Sequence, residues 1–326
     1  MNESSKGTST VNERKSTNKV GLIGTGMVGT SFAYSLMQHG LANELVLIDR
    51  DTARAEGEMM DLNHGLPFVR PMRIMAGSYA DLADADVIVI TAGVSQRPGE
   101  SRLDLLKKNA AIFHEIVPQV NAVNQDAIIV VATNPVDILT YLTAQIVGLE
   151  SGRVIGSGTL LDTARFRYLL GVHYGVDPRS VHAYVVGEHG DSELPLWSLA
   201  NIAGVRLSDF VGTNGQCYDQ AALDRIFDQT CHAAYEIIQR KKATYYAIGL
   251  GLLAIVEAVL RDQHTVLTVA SPLRGQYGVT DIAISAPTIV GRNGIEEVLN
   301  LPLSEGELAA LQRSAQTLKN RLVEAR

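Results

Sequence analysis

The feature that most constrains this 326-residue chain is the run Gly24-Thr25-Gly26-Met27-Val28-Gly29, because of what flanks it. VGLIG (20–24) is a short apolar run that reads as a buried parallel strand. A helical stretch follows over about 28–39 and stops at Gly40. The next apolar run, ELVLID (44–49), ends in Asp49, 20 residues past Gly29. G-x-G-x-x-G alone is a weak signal; between a strand and a helix, with an acid closing the second strand, it is a dinucleotide fingerprint. Gly24 permits a tight turn, Gly26 lets the backbone approach a pyrophosphate, and Gly29 lets helix and strand pack closely. The helix N-terminus turns free N–H groups and a positive dipole toward the phosphates. The Asp49 carboxylate can accept two hydrogen bonds from the adenosine ribose and repels a 2′-phosphate, so NAD is expected rather than NADP. A ligand-free glycine turn is the competing reading, and the flanking elements weigh against it.

The alternation continues. A helical pattern near 52–63 precedes the strand DADVIVITAG (84–93), and a long helix near 104–122 precedes the strand QDAIIVVATNP (125–135) and a helix over 136–147. Such a rhythm means an α/β fold, a Rossmann-type doubly wound parallel sheet. Beyond Arg153 the rhythm changes to a helix near 160–171, a strand over 181–187 and helices over 221–240 and 244–261. Two strand-like runs (264–273 and 281–290) form a plausible hairpin, and a charged helix over 304–325 ends the chain. The expected organisation is a polar, disordered tail over 1–18, an NAD-binding Rossmann domain over 19–157 and an α+β substrate and catalytic domain over 158–326. No apolar run approaches the roughly 20 residues of a membrane span; AIGLGLLAIVEAVL (247–260) is shorter, contains Glu257 and reads as a core helix. The net charge of −7 argues against nucleic acid and anionic membrane as partners. The two cysteines, Cys217 and Cys231, form no C-x-x-C, so lone thiols, no metal and a cytoplasmic location are expected.

Three stretches carry chemistry. TAGVSQRPGESRLDLL (91–106) follows a strand's C-terminal end, where open α/β sheets bind ligands, and has the composition of a lid with Arg102 near its helical end. In GTLLDTARFRYLL (158–170), Asp162 and Arg165 fall on one side of a helix; a weak surface ion pair is the plain alternative. Arg167 lies about 200° from Arg165, so the two face different ways. VVGEHGDSE (185–193) sets His189 after an apolar strand, either as a turn residue or as a proton donor.

With GTGMVG, the lid, ATNPVDILT (132–140), LDTARFR (161–167) and GEHGDSE (187–193) in this order, the chain from about Val20 to Leu322 resembles the L-lactate/malate dehydrogenase family. Within it the match is to the bacterial lactate branch that responds to fructose 1,6-bisphosphate. No tyrosine has a lysine four positions on, as short-chain dehydrogenases require, and the cysteine sets of zinc enzymes are absent. The resemblance implies reversible hydride transfer between NADH and pyruvate, giving L-lactate and NAD+. It makes His189 the proton donor and acceptor, oriented by Asp162, which is expected to raise the histidine pKa. Arg165 would clamp the substrate carboxylate, Arg102 polarise the carbonyl, Asn134 hydrogen-bond its oxygen and Thr244 line the pocket.

Gln96, six before Arg102, stands where malate enzymes have arginine, so pyruvate is expected over oxaloacetate; neighbouring Arg97 could soften the preference. The implied NAD contacts are Gly24, Gly26, Met27, Val28, Gly29, Asp49, Arg54, Tyr79, Thr91, Ala92, Gly93, Val131, Thr133, Asn134 and Ser157. Arg167 and His182 match positions that bind fructose 1,6-bisphosphate across a two-fold axis, and a homotetramer is implied. Ordinary surface or interface residues are the alternative for that pair. Rival functions are malate or branched 2-hydroxy-acid dehydrogenase, and a catalytically silent NAD-binding protein. The joint presence of His189, Asp162, Arg102 and Arg165 speaks against the last.

Overall fold

A computed structural model describes residues 18–95, 101–149 and 152–325. The tail expected over 1–18 therefore lies outside the described residues except for Asn18, and so do Gln96 and Arg97 of the lid.

The apolar runs become buried strands. β1 (Lys19–Ile23), β2 (Glu44–Ile48), β3 (Arg73–Ala76), β4 (Val87–Ile90), β5 (Ile128–Val131) and β6 (Val154–Gly156) alternate with α1 (Met27–His39), α2 (Thr52–Gly65), α3 (Arg102–Val123) and α4 (Val136–Val147). All six strands are parallel in the order β3-β2-β1-β4-β5-β6, the doubly wound arrangement. The second half contributes α5 (Leu160–Tyr174), β7 (Val181–His182), β8 (Val185–Val186), β9 (Leu194–Pro195), β10 (Asn201–Ile202), β11 (Val205–Arg206), α6 (Gln220–Lys241), α7 (Tyr246–Leu260), β12 (Thr265–Pro272), β13 (Ala283–Gly291), β14 (Gly294–Val298) and α8 (Glu305–Ala325).

The structure departs from the sequence reading in three places. β3 and β6 were not anticipated: at 4 and 3 residues, they are too short to show a period. The strand expected over 181–187 is two strands in different sheets, β7 pairing with β10 and β8 with β9. The hairpin of β12 and β13 forms as expected, but with β14 it extends the first sheet past β6, giving nine strands in all. The join is one antiparallel bridge, Ala270 to Gly156.

The cores follow from this layering. One cluster joins Val20, Leu22 and Phe32 of the first half to Leu252, Val256 and Val269 of the second. The helix read as core, α7, buries Leu252, Leu253, Ile255 and Val256. Cys217 and Cys231 are free thiols. Among the described residues no helix is long and apolar enough to cross a membrane.

Candidate active site

The parallel strands end at a common edge, where the fingerprint sits. Gly24 adopts φ +102°, and a Cβ there would lie 2.5 Å from the Ala92 nitrogen. A Cβ on Gly29 would lie 2.1 Å from the Gly24 carbonyl oxygen, so only glycine lets α1 pack against the β1 turn. Gly26 has open space where a Cβ would be, and no side chain caps the α1 N-terminus that it opens. This is a cradle for an anion. Asp49 is held beside it: one carboxylate oxygen accepts from the Thr25 N–H (2.8 Å) and hydroxyl (3.0 Å), the other from the Asp51 N–H (3.1 Å). Burial would raise its pKa, but these donors and nearby Arg54 hold it below the usual carboxylate range. Thr25 was missed by sequence reasoning; its only signal was its place inside the fingerprint.

The other expected nucleotide residues lie at or just beyond the C-terminal ends of the parallel strands. The Thr91 hydroxyl donates to the Gly24 carbonyl (2.7 Å), the Thr133 hydroxyl to the Ala92 carbonyl (2.8 Å), and the Ser157 N–H to the Val131 carbonyl (2.8 Å). Gly93 packs against Thr133, and Asn134 follows at the exposed end of β5. Met27 and Val28 form the first turn of α1, Arg54 is exposed on the first turn of α2, and Tyr79 packs partly buried under β2. The arrangement fits an adenine dinucleotide of the NAD type: an open backbone cradle for phosphates and an ionised acid for ribose hydroxyls.

In the second half, Asp162 and Arg165 project from α5 on one side of the helix, as their spacing requires. Asp162 is buried, with its side chain 3% exposed; one oxygen meets the Arg165 Nη1 at 2.6 Å and the other the His189 Nδ1 at 2.5 Å. Burial would raise the Asp162 pKa, but His189 and Arg165 bring it below the ordinary value. Burial opposes the charged imidazole, yet the Asp162 carboxylate and its hydrogen bond, with Asp137 and Glu193 farther off, push His189 up to about 9. The Asp162 carboxylate thus favours the imidazolium, and the ring is partly open to solvent.

The loop carrying His189 is pinned from both halves. Its backbone N–H donates to Asp137 of α4 (2.8 Å). The Glu188 N–H donates to Ser314 of α8 (2.8 Å), and the buried Glu188 carboxylate pairs with Arg321 and Ser192. Sequence reasoning missed Asp137; a lone acid inside an apolar helix was the available signal.

Arg102 opens α3. Its guanidinium pairs with Asp191 (2.5 Å) and donates to the Tyr235 hydroxyl (2.7 Å), spanning from the lid to the His189 loop and α6. Asn109, another missed residue, accepts from the Val94 N–H (2.8 Å) and donates to the Asn134 carbonyl (2.7 Å), tying the lid's base to β5. Thr244 is half-buried in the link between α6 and α7.

Arg167 and His182 lie away from this cluster. The Arg167 Nε donates to the Ala183 carbonyl (2.8 Å), and its guanidinium stacks 5.2 Å from the Tyr184 ring centre. His182 is exposed on β7 opposite Asn201, while Val181 and Ala183 beside it are buried.

Comparison with known proteins agrees with this geometry. Residues 18–156 match the lactate/malate dehydrogenase NAD binding domain, and residues 159–326 the lactate/malate dehydrogenase alpha/beta C-terminal domain. An L-lactate dehydrogenase of Priestia megaterium is 53% identical over 303 residues, covering 93% of this chain and 95% of that protein. One of Thermoanaerobacter pseudethanolicus is 52% identical over 303 residues, covering 93% and 97%. The crystal structure of a minor L-lactate dehydrogenase from Enterococcus mundtii in a ligand-bound form superposes with TM-score 0.91 at 46% identity, over 96% of this chain and 99% of that one. With a glycine-rich anion cradle in the first half and an imidazole–carboxylate–guanidinium group in the second, and both halves matched in order, the chain belongs to the lactate/malate dehydrogenase family.

Proposed function

We propose that the protein is an L-lactate dehydrogenase that reversibly reduces pyruvate with NADH, with His189 as proton donor and acceptor. One carboxylate carries this reading: Asp162 fixes a proton-moving imidazole with one oxygen and an anion-gripping guanidinium with the other. Bound NADH supplies the hydride, and this chain supplies charge, geometry and the proton. Gly24, Gly26, Gly29 and Asp49, with the strand-end residues around them, would hold the dinucleotide. Arg165 grips the substrate carboxylate with its planar fork, which lysine would not reproduce. As the carbonyl oxygen gains charge, His189 gives it a proton from Nε2, the ring nitrogen that Asp162 leaves open, and takes it back in the reverse direction. Asp162 steadies the imidazolium, and Arg102 and Asn134 steady the oxygen. Thr244 lines the pocket.

The relatives' names support pyruvate as substrate. So does Gln96, which offers no counter-charge to a second carboxylate. The division at residue 157 into nucleotide and substrate domains, a cytoplasmic homotetramer and activation by fructose 1,6-bisphosphate at Arg167 and His182 belong to the same proposal. Following NADH absorbance with pyruvate and with oxaloacetate, each with and without the bisphosphate, tests it. Pyruvate should be the faster substrate, and the bisphosphate should lower its apparent KM. Gln96→Arg should shift preference toward oxaloacetate. Faster oxaloacetate reduction by the unaltered protein would make it a malate enzyme, and an unchanged KM would remove the activator.

A further inference from the structure

Asp162, His189 and Glu193 each present a polar atom, and these atoms all lie within 4.8 Å of one another. The Glu193 carboxyl faces Asp162 within that distance, and the Cys231 thiol on α6 adjoins Glu193 in turn. Two carboxyl groups this close and withdrawn from water do not both ionise; they hold one proton between them. Their surroundings decide which one carries it. Asp162 faces two cationic groups, His189 at 2.5 Å and Arg165 at 2.6 Å, so its ionised form is well compensated. Glu193 faces the Asp162 anion and a thiol. Burial first, then the charge of Asp162, pushes Glu193 up to about 8. Burial, with the same carboxyl, drives the Cys231 thiol upward, so that it stays protonated.

We infer, building on the proposed role of His189, that Glu193 is a positioning residue for proton transfer: as a carboxylic acid it donates a hydrogen bond to Asp162 and sets how firmly Asp162 holds the imidazole. The chain of contacts runs from the Cys231 thiol through the Glu193 acid and the Asp162 carboxylate to the His189 imidazolium. While Glu193 keeps its proton, it draws part of the Asp162 charge away from His189. Once that proton leaves, a second anion stands behind the imidazolium and holds its proton more tightly. The charged and titratable groups facing Glu193 are Asp162 and Arg165 of α5, Cys231 of α6 and His189 of its own loop. Asp228 of α6 acts on Cys231, and Asp137 of α4 acts on Asp162 and His189. The cluster, and not His189 alone, then sets the titration, with Glu193 and His189 both raised.

The experiment compares the pH profiles of kcat/KM for pyruvate in the wild type, Glu193→Gln and Glu193→Ala, with nitrogen NMR of the His189 imidazole in the intact enzyme. Glutamine keeps a neutral donor but cannot ionise. Its turnover at neutral pH should stay within about twofold of wild type, while the high-pH limb moves down by about one unit. Alanine removes the donor, and kcat should fall on the order of tenfold with KM little changed. In the wild type the imidazole signal should titrate in two steps, a readout that stands even if the alanine variant does not fold. A limb unmoved by glutamine, or a single-step imidazole titration, overturns the role of Glu193. Undiminished turnover in His189→Asn would instead overturn the proton-donor reading on which it builds, so the two failures are distinguishable.

Discussion

His189 sits where two opposing effects meet, and the larger one gives the site its pH behaviour. Burial alone would discharge the imidazole, whereas the Asp162 carboxylate at 2.5 Å keeps it charged up to about 9. The folded pKa is raised above the unfolded 6.5, so stabilisation from the charged pair is complete below about 6.5 and disappears as pH rises through about 9. Under the proposed mechanism pyruvate reduction needs the imidazolium. Its kcat/KM should be level near neutrality and fall about tenfold per pH unit above about 9, while lactate oxidation rises over the same span. Asp162→Asn should bring that limb down toward the ordinary imidazole range and lower kcat by about 100-fold or more. A limb that stays put in Asp162→Asn would mean that another group sets it. His189, Asp162 and Arg165 were legible because the motifs that carry the family resemblance contain them, although the Asp162–His189 contact itself spans 27 residues. Asp137, Asn109 and Glu193 were not, because their roles arise from contacts made only on folding. Asp137 reaches His189 across 52 residues of chain, and Asn109 reaches Asn134 across 25. No periodicity encodes such distances.

The helix that delivers Arg102 depends on its end chemistry. Arg102 is the first residue of α3, and Ser101 caps it. The Ser101 hydroxyl accepts from the Asp104 N–H (3.1 Å) while the Asp104 carboxylate accepts from the Ser101 N–H (3.2 Å), a capping box. Ser101→Ala removes about 1 kcal/mol from that end alone. Because the lid end opens locally, kcat/KM for pyruvate should fall about fivefold with an unchanged Tm. A lowered Tm with intact activity would show that the cap serves the fold and not the arginine.

At the other end of the chain, α8 holds the His189 loop through Arg321 and the Glu188 carboxylate, whose side chain is 5% exposed. Arg321→Leu leaves that charge buried without its cation and should lower stability by about 3 kcal/mol in urea unfolding. Adding Glu188→Gln should restore most of the loss; no restoration would mean that Arg321 acts through packing. Helices of this length declared themselves by their apolar spacing, and α8 was expected within a residue of where it starts. The strand over 181–187 was misread because no glycine or proline before Gly187 marks a break, while the chain breaks at Ala183 and Tyr184 to feed two sheets. That break turns β8 toward β9, directly before the loop that carries His189.

At the scale of the whole molecule, the change of rhythm near residue 157 marks a change of topology, but the apolar packing runs through it. The nine-stranded sheet continues from β6 to β12, and α7 packs on α1 so closely that a Cβ on Gly249 would lie 2.9 Å from the Ser31 backbone. Polar contacts reinforce the join. The His189 N–H donates to the Asp137 carboxylate (2.8 Å), and the Ile295 N–H donates to the Gly152 carbonyl (2.9 Å). Two halves sharing a core and a sheet cannot unfold independently without exposing the shared apolar surface, so one cooperative transition is expected. Trp197 makes this measurable. It is the single tryptophan of the chain and lies in the second half, packed edge-on against Phe166 at 5.0 Å between ring centres. Its fluorescence reports on that half alone, whereas far-UV circular dichroism reports on every helix. At fixed protein concentration the two midpoints should coincide. NAD+ binds the first half, yet at about 100 times its Kd it should stabilise both signals by ~2.7 kcal/mol. If NAD+ shifted the dichroism but left the Trp197 transition in place, the halves would be energetically separate, and the shared core would not couple the cofactor to the side that carries His189 and Arg165.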